Sequence, residues 1–295
     1  MGIIFDKPLI GVVMCQNFIG SHAGQTVHNK YLDAIVLAGG VPLPLPHQLM
    51  QAPHLLENSM TVLDGILLTG SPSNIEPWHY GADGIEAHAD PARDRLAFGL
   101  ITHAIGKKMP MFGICRGLQE LVVANGGALH RQLHMTHLFQ EHRENDALPL
   151  DEQYAPAHTV QPEVDGMLSQ LLGSAEPFAV NSLHGQGIRE TGPQLRIEAR
   201  APDGLVEAVS LPKHPFALAV QWHPEWHSER DPVLHGHLER DLHDRAERPG
   251  HLPAPLQGRQ DTDGGEEDPA DHHSRAVRPP VRRPAGRRHA PARRN

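Results

Sequence analysis

Apolar residues along this chain fall into two patterns. Up to Gly127 they form short continuous runs separated by stretches of helical spacing. Leu9 to Met14 is a run of the first kind, the signature of a strand buried on both faces. A polar loop is expected next, then a helix with Tyr31, Ala34, Ile35 and Ala38 inward, stopped by Gly39-Gly40. In Val41-Pro-Leu-Pro-Leu-Pro46 the alternating prolines cannot donate to a ladder, so the segment reads as an edge strand or an extended connection. Asp64-Gly65-Ile66-Leu67-Leu68 predicts another strand, running into the loop Thr69-Gly-Ser-Pro-Ser-Asn74. Asp90-Pro91 supplies a cap and a first-turn proline for a helix whose stripe is Leu96, Leu100, Ile101 and Ala104. Then comes a short apolar strand from Met109, a tight turn carrying Cys115, and a helix ending at Gly126-Gly127. Strands alternating with helices at this spacing predict an α/β fold with a mainly parallel sheet.

After Gly127 the pattern changes. Arg131 to Pro156 is polar, rich in His and Glu, and reads as a surface excursion. Short strand candidates follow at Thr159-Val160, Phe178–Val180, Leu195–Ala199, Leu205–Val209 and Phe216–Trp222, with Asp203-Gly204 as a turn. With few helical stretches between them, these are expected to be antiparallel. From His227 to Asn295 there is no Phe, Trp, Tyr, Ile, Met, Cys or Lys. Leu234, Leu238 and Leu242 could mark one weak helix, but from Pro249 onward nothing could bury a face, and a disordered tail is expected. The reading is therefore a domain over 1–227 and an Arg/Pro/His-rich tail over 228–295.

Composition narrows the classes. The 295 residues suffice for a large core, and a net charge of −9 gives no overall basic field for nucleic acid. The tail's Arg-Pro run could bind RNA or acidic surfaces by itself. Two cysteines, Cys15 and Cys115, argue against a disulfide framework or a cysteine-rich zinc site and suit a reducing compartment. The N-terminus lacks a signal-peptide pattern, and no apolar run reaches the roughly 18 residues of a membrane span. A cytoplasmic location is expected.

Chemistry concentrates at the ends of the strand-like runs. A cysteine between a strand and a helix is exposed by the turn, and the helix N-terminus favours its thiolate; taken alone, Cys115 fits a buried structural cysteine equally well. A nucleophile needs a base and an orienting group. His223 and Glu225, two apart across Pro224, can supply both, the carboxylate fixing the imidazole tautomer; a surface His-Pro-Glu turn is the plainer alternative. The amide of Arg116 and one from the Gly70 loop are candidate oxyanion donors, and Asn181-Ser-Leu-His-Gly-Gln186 could line a site or be an ordinary polar loop. The 23 histidines invite a metal reading, but no helical His-x-x-x-His has a carboxylate partner, so no metal is expected.

Gly113-Ile-Cys-Arg-Gly-Leu-Gln119 together with His223-Pro-Glu225 resembles the class I glutamine amidotransferase superfamily. Within it, Thr69–Asn74, Ile114–Glu120, Asn181–Gln186 and Gln221–Trp226 resemble the bacterial gamma-glutamyl-gamma-aminobutyrate hydrolases, as do Gly11–Cys15 and Ser210–Gln221. The similarity runs from about Pro8 to Trp226. It implies a flavodoxin-like α/β fold, a mostly parallel central sheet with helices on both faces and an added antiparallel part. It also implies a cytoplasmic hydrolase of putrescine catabolism that splits gamma-glutamyl-GABA into glutamate and GABA without a cofactor. By position, Cys115 is the nucleophile, His223 the base and then acid, Glu225 its orienter, and the Gly70 and Arg116 amides the oxyanion hole. Gln119, His184 and Ser71 fall near the glutamyl end of the substrate. The expected partner is this small molecule, with no nucleic acid or membrane, and a homo-oligomer is left open.

The resemblance ends where family members continue into an apolar helix that packs on the body. Here Glu229-Arg-Asp-Pro-Val-Leu-His-Gly-His and the Arg-Pro tail stand instead, as a shifted reading frame in GC-rich DNA would give. Hydrolysis of another gamma-glutamyl amide, a glutaminase subunit feeding a separate synthase, and an inactive binding protein remain as alternative readings.

Overall fold

The computed structural model describes residues 7–228 and Val233. The expected tail, its weak helix and the altered frame lie outside the described residues. Chain order begins with β1 (Leu9–Val13), a hairpin of β2 (Cys15–Ile19) and β3 (His22–Thr26), α1 (Asn29–Leu37) and β4 (Val41–Leu45). Then come α2 (Pro53–Met60), β5 (Gly65–Leu68), α3 (Pro91–Lys107), β6 (Met111–Ile114), α4 (Arg116–Ala124) and β7 (Ala128–His130). Short helices α5 (Leu133–Thr136) and α6 (Leu150–Gln153) precede β8 (His158–Pro162), α7 (Met167–Leu172), β9 (Phe178–Val180) and β10 (Gly187–Glu190). β11 (Arg196–Arg200), β12 (Val206–Ser210) and β13 (Ala217–Val220) complete the strands.

Nine strands form one sheet in the order β4-β1-β5-β6-β13-β12-β11-β8-β9. The first five pair in parallel, and the remaining four continue the sheet antiparallel. The expected parallel and antiparallel parts are thus halves of one surface, joined at β13, which is parallel to β6 on one side and antiparallel to β12 on the other. The proline-rich β4 is indeed the edge, where a missing N–H costs no ladder bond.

Strand side chains alternate between faces, and the core divides accordingly. Leu9, Val13, Ile66 and Leu68 pack with Leu96 and Leu100 of α3 and Leu118 and Leu121 of α4. Val12, Leu67 and Ile114 instead join Tyr31 and Ile35 of α1. On β13, Ala217 and Ala219 go to the first cluster, while Leu218 and Val220 meet Leu168 of α7 and Trp222. Helices therefore cover both faces. α3 opens as expected, with Asp90 Oδ1 accepting from the Arg93 amide at 3.0 Å.

Two expectations need correction. The segment after β1 is not a loop but the β2–β3 hairpin, turned at Gly20 with φ 61°. It is mostly exposed on both faces, so it carries no apolar alternation to announce it. The 131–156 excursion is largely exposed, yet His142 is buried and Tyr154 reaches back to Lys30 at the start of α1. These two residues carry it into the chemistry described next.

Candidate active site

Cys115 stands between β6 and α4 with φ 52° and ψ −102°, a conformation that non-glycine residues rarely adopt. Three features over-determine it. Its amide donates to the Val220 carbonyl at 2.8 Å, which ties the turn to β13. A side chain on Gly117 would drive into the Leu68 carbonyl, so only glycine lets α4 lie this close to β5. Leu118 and Gln119 donate their amides to the Cys115 carbonyl and start the helix there. The sulfur sits at the N-terminus of α4, near enough to His223 for each to shift the other's titration.

His223 lies just past β13, after Gln221 and Trp222, and its backbone is clamped by Asn181. The His223 amide donates to Asn181 Oδ1 at 2.7 Å, and Asn181 Nδ2 donates to the His223 carbonyl at 3.0 Å. Pro224 opens a short 3₁₀ turn that brings Glu225 back onto the ring, with Oε1 2.7 Å from His223 Nδ1. Lys30 was not foreseen. Its Nζ lies 2.7 Å from Glu225 Oε1 and 3.4 Å from His223 Nδ1, and donates to Tyr154 Oη at 2.7 Å. Tyr154 in turn stacks on Trp226, with ring centroids 4.0 Å apart.

The electrostatics of this set are those of an ion pair. Burial works against the charged form of each group, but the mutual attraction wins. Glu225 and the Cys115 sulfur hold His223 up at about 9 despite its burial. Burial alone would push the Cys115 thiol up, but His223 outweighs it and brings the thiol below its ordinary value. Glu225, fully buried between His223 and Lys30, is held down at about 2. Both shifts favour thiolate and imidazolium, a nucleophile with its proton donor beside it.

Gly70 closes the other side. A Cβ there would lie 2.7 Å from His223 Cε1, 3.4 Å from Cys115 Cβ and 2.5 Å from Tyr31 Oη, so only glycine fits. The loop it belongs to is held by two buried arginines. Arg93 Nη1 donates to Thr69 Oγ1 at 3.0 Å and to the Gly70 carbonyl at 3.4 Å, and its Nη2 donates to the Thr69 carbonyl. Arg116 Nε donates to the Ser73 carbonyl at 2.9 Å. Glu120 pairs with both guanidinium groups, and Asp94 adds a 2.6 Å contact to Arg116 Nη2. The Arg116 side chain thus points away from chemistry and into structure; its amide, the first of α4, has no acceptor within the helix.

A family pattern described as Peptidase C26 matches residues 8–225. The chain belongs to the peptidase C26 family. Over 225 residues it is 57% identical to gamma-glutamyl-gamma-aminobutyrate hydrolase PuuD of Escherichia coli strain K12, covering 76% of this chain and 88% of that protein. Among solved structures, the glutaminase domain of CTPS from Trypanosoma brucei superposes with a TM-score of 0.52 at 14% identity, covering 81% of this chain and 94% of that one. A glutamine amidotransferase from Thermotoga maritima gives 0.51 at 16% identity, covering 81% and 97%. The two structures fix the fold as that of the glutamine amidotransferase domains.

Within this peptidase C26 chain, the other residues singled out from sequence have mixed placements. His184 is buried next to Cys115, near enough for each to shift the other's titration. Gln119, on the helix behind the cysteine, is buried and donates to the Gln186 carbonyl and to Gln221 Oε1, both at 3.2 Å. Ser71 Oγ accepts from the Ser73 amide at 3.1 Å, which shapes the loop. Arg93 had a legible signal: it lies in register with the apolar stripe of α3, where a charge needs a buried partner. Lys30 and Tyr154 had none, because their partners are far away in sequence. No helix among the described residues is long and apolar enough to cross a membrane.

Proposed function

We propose that this chain is a cytoplasmic hydrolase of gamma-glutamyl-gamma-aminobutyrate, releasing glutamate and GABA in putrescine breakdown. The observation that carries it is His223, held between the Cys115 sulfur and the Glu225 carboxylate at the edge of the Gly70 loop. The 57% identity to PuuD supports the choice of substrate. The Cys115 thiolate attacks the side-chain amide carbon, and the amides of Gly70 and Arg116 receive the oxyanion. His223 gives its proton to the departing nitrogen, the C–N bond breaks, and GABA leaves a gamma-glutamyl thioester. His223 then takes a proton from water as the water attacks. The C–S bond breaks, and glutamate departs with the thiolate restored. Glu225 holds the ring and its charge throughout.

Gln119, His184 and Ser71 are proposed contacts to the glutamyl end. Of these, His184 has the best support, being beside the sulfur. The catalytic unit is proposed as residues 1–227, with 228–295 an appended tail. Incubating the purified full chain with gamma-glutamyl-GABA and assaying free glutamate and GABA tests the reading. Wild type should release both in equal amounts, and Cys115→Ala should be slower by roughly 10⁴-fold or more. Equal rates for the two proteins would remove Cys115 from the mechanism. Release of glutamate from glutamine but not from gamma-glutamyl-GABA would overturn the substrate.

A further inference from the structure

A second polar cluster adjoins the triad through His184. At its centre is Glu207 on β12, fully buried, with neither carboxylate oxygen hydrogen-bonded among the described residues. Three imidazole nitrogens surround its Oε1: His142 Nδ1 at 3.6 Å, His184 Nε2 at 3.6 Å and His158 Nε2 at 4.0 Å. The nitrogens of His158 and His184 are likewise buried without a hydrogen-bond partner. One donor atom from each of His142, His158 and Glu207 lies within 4.8 Å of the other two.

Bonds on the far side of each ring fix where its proton sits. His142 Nε2 is 2.9 Å from Asp203 Oδ2, His184 Nδ1 is 2.9 Å from the Gln186 carbonyl, and His158 Nδ1 is 3.1 Å from the Thr159 carbonyl. These oxygens only accept, so each far nitrogen carries the hydrogen. The near nitrogens of neutral rings are then lone pairs, and all three face a carboxylate. Ser182 Oγ lies 3.2 Å from His142 Nδ1, but it donates its own proton to the His142 carbonyl at 2.8 Å. Four acceptors crowded in a buried space need a cation between them. Protonation serves at most part of the set. Glu207 outweighs burial and raises His184, whereas burial and the neighbouring His184 push His142 down.

We propose that His142, His158 and Glu207 form a binding site for a divalent transition metal ion, zinc by its donor chemistry. Imidazole and carboxylate donors about 2.0–2.1 Å from zinc are roughly 3.3–3.4 Å apart in a tetrahedron, and the Glu207 spacings of 3.6 Å to His142 and 4.0 Å to His158 close to that by side-chain adjustment. The outer bonds of His142 to Asp203 and of His158 to the Thr159 carbonyl are the partners that metal-bound imidazoles use to hold tautomer and orientation. The ion's role is structural. It ties the 131–156 excursion and β8 to β12, next to the 181–186 loop that clamps His223. The ligands come from three separate segments, so no spacing in the sequence announces them.

Metal content tests this independently of the proposed activity. The full chain is produced with zinc in the medium, purified without chelator and measured by inductively coupled plasma mass spectrometry. Glu207→Gln and His158→Gln are measured in parallel. All three proteins keep the histidines after Trp226, so adventitious zinc on those cancels in the difference. Wild type should hold about one zinc more per chain than either variant. Stripping wild type with dipicolinate should lower its melting temperature by several degrees, and zinc chloride should restore it. Cobalt(II) added to the stripped wild type should give the visible bands of a tetrahedral site. Equal zinc in wild type and variants would overturn the proposal, as would a wild-type melting temperature indifferent to stripping and readdition. The chelation experiment stands even if neither variant folds.

Discussion

Arg93, Arg116, Asp94 and Glu120 lie under the Thr69–Asn74 loop, and Cys115, His223, Glu225 and Lys30 lie beside it; both sets are largely withdrawn from solvent, yet they are built for opposite tasks. In the first, the positive charges are guanidinium groups that do not titrate, and Glu120 bridges the pair. In the second, the positive partner of the sulfur is a histidine, and its proton can move. A charge that cannot move fixes the Gly70 carbonyl and the backbone around it. A charge that can move does chemistry on what that backbone holds. The comparison teaches that removing a member of the first set should cost folding, and removing a member of the second should cost turnover.

Glu225→Gln breaks the second set most deeply. The amide can support the wrong imidazole tautomer and cannot stabilise the imidazolium, so kcat should fall by about 10⁴-fold with only a small change in melting temperature. Steady-state glutamate release and a thermal melt check both halves. Glu120→Ala breaks the first set. It leaves two buried guanidinium groups short of a partner and should destabilise the fold by about 3–5 kcal/mol, measured by urea denaturation. An unchanged urea midpoint would show that the arginine network is not the brace of the Gly70 loop.

The pH profile sharpens the contrast. His223 is held at about 9, so its proton is available across neutral pH and is lost as pH rises through about 9. The Cys115 thiol is held below its ordinary value by His223, so its thiolate forms at lower pH than that of a free cysteine. The pair titrates as a unit, and kcat/KM should be flat near neutrality and fall about tenfold per pH unit above 9. Lys30→Met is the subtler probe. It removes the second partner of Glu225 Oε1 while leaving the His223 contact, and kcat should drop by roughly tenfold, about 1.4 kcal/mol. Tyr154→Phe, which deletes only the bond from Lys30, should have the smallest effect, a few-fold at most.

Much of this was legible from residues near one another in the chain. Strand and helix runs up to Gly127, the Asp90 cap, the cysteine turn and the His223-Pro-Glu225 pair are local patterns, and the strands and helices appear where the patterns placed them. The β2–β3 hairpin escaped because it buries too little to alternate, and α2 was not singled out. Lys30 escaped because a single lysine at a helix start carries no sign of the carboxylate it will meet. Arg93 and Glu120 are intermediate: charges in phase with apolar stripes announce burial but not the partner.

The sequence by itself determined the local chemistry: a cysteine at a strand-to-helix turn, a base with its carboxylate two residues away, and glycines where backbone must approach backbone. Only the tertiary structure decided who meets whom. The parallel pairing of β6 with β13 sets Cys115 level with the end of the strand that leads to His223. The fold also turns the 131–156 excursion inward, which sets Tyr154 against the lysine that α1 brings to Glu225 and adds His142 to His158 and His184 around Glu207. The physical reason is range. Propensity and periodicity act over a few residues, whereas burying a charge succeeds only when the whole sheet delivers its partner from elsewhere in the chain.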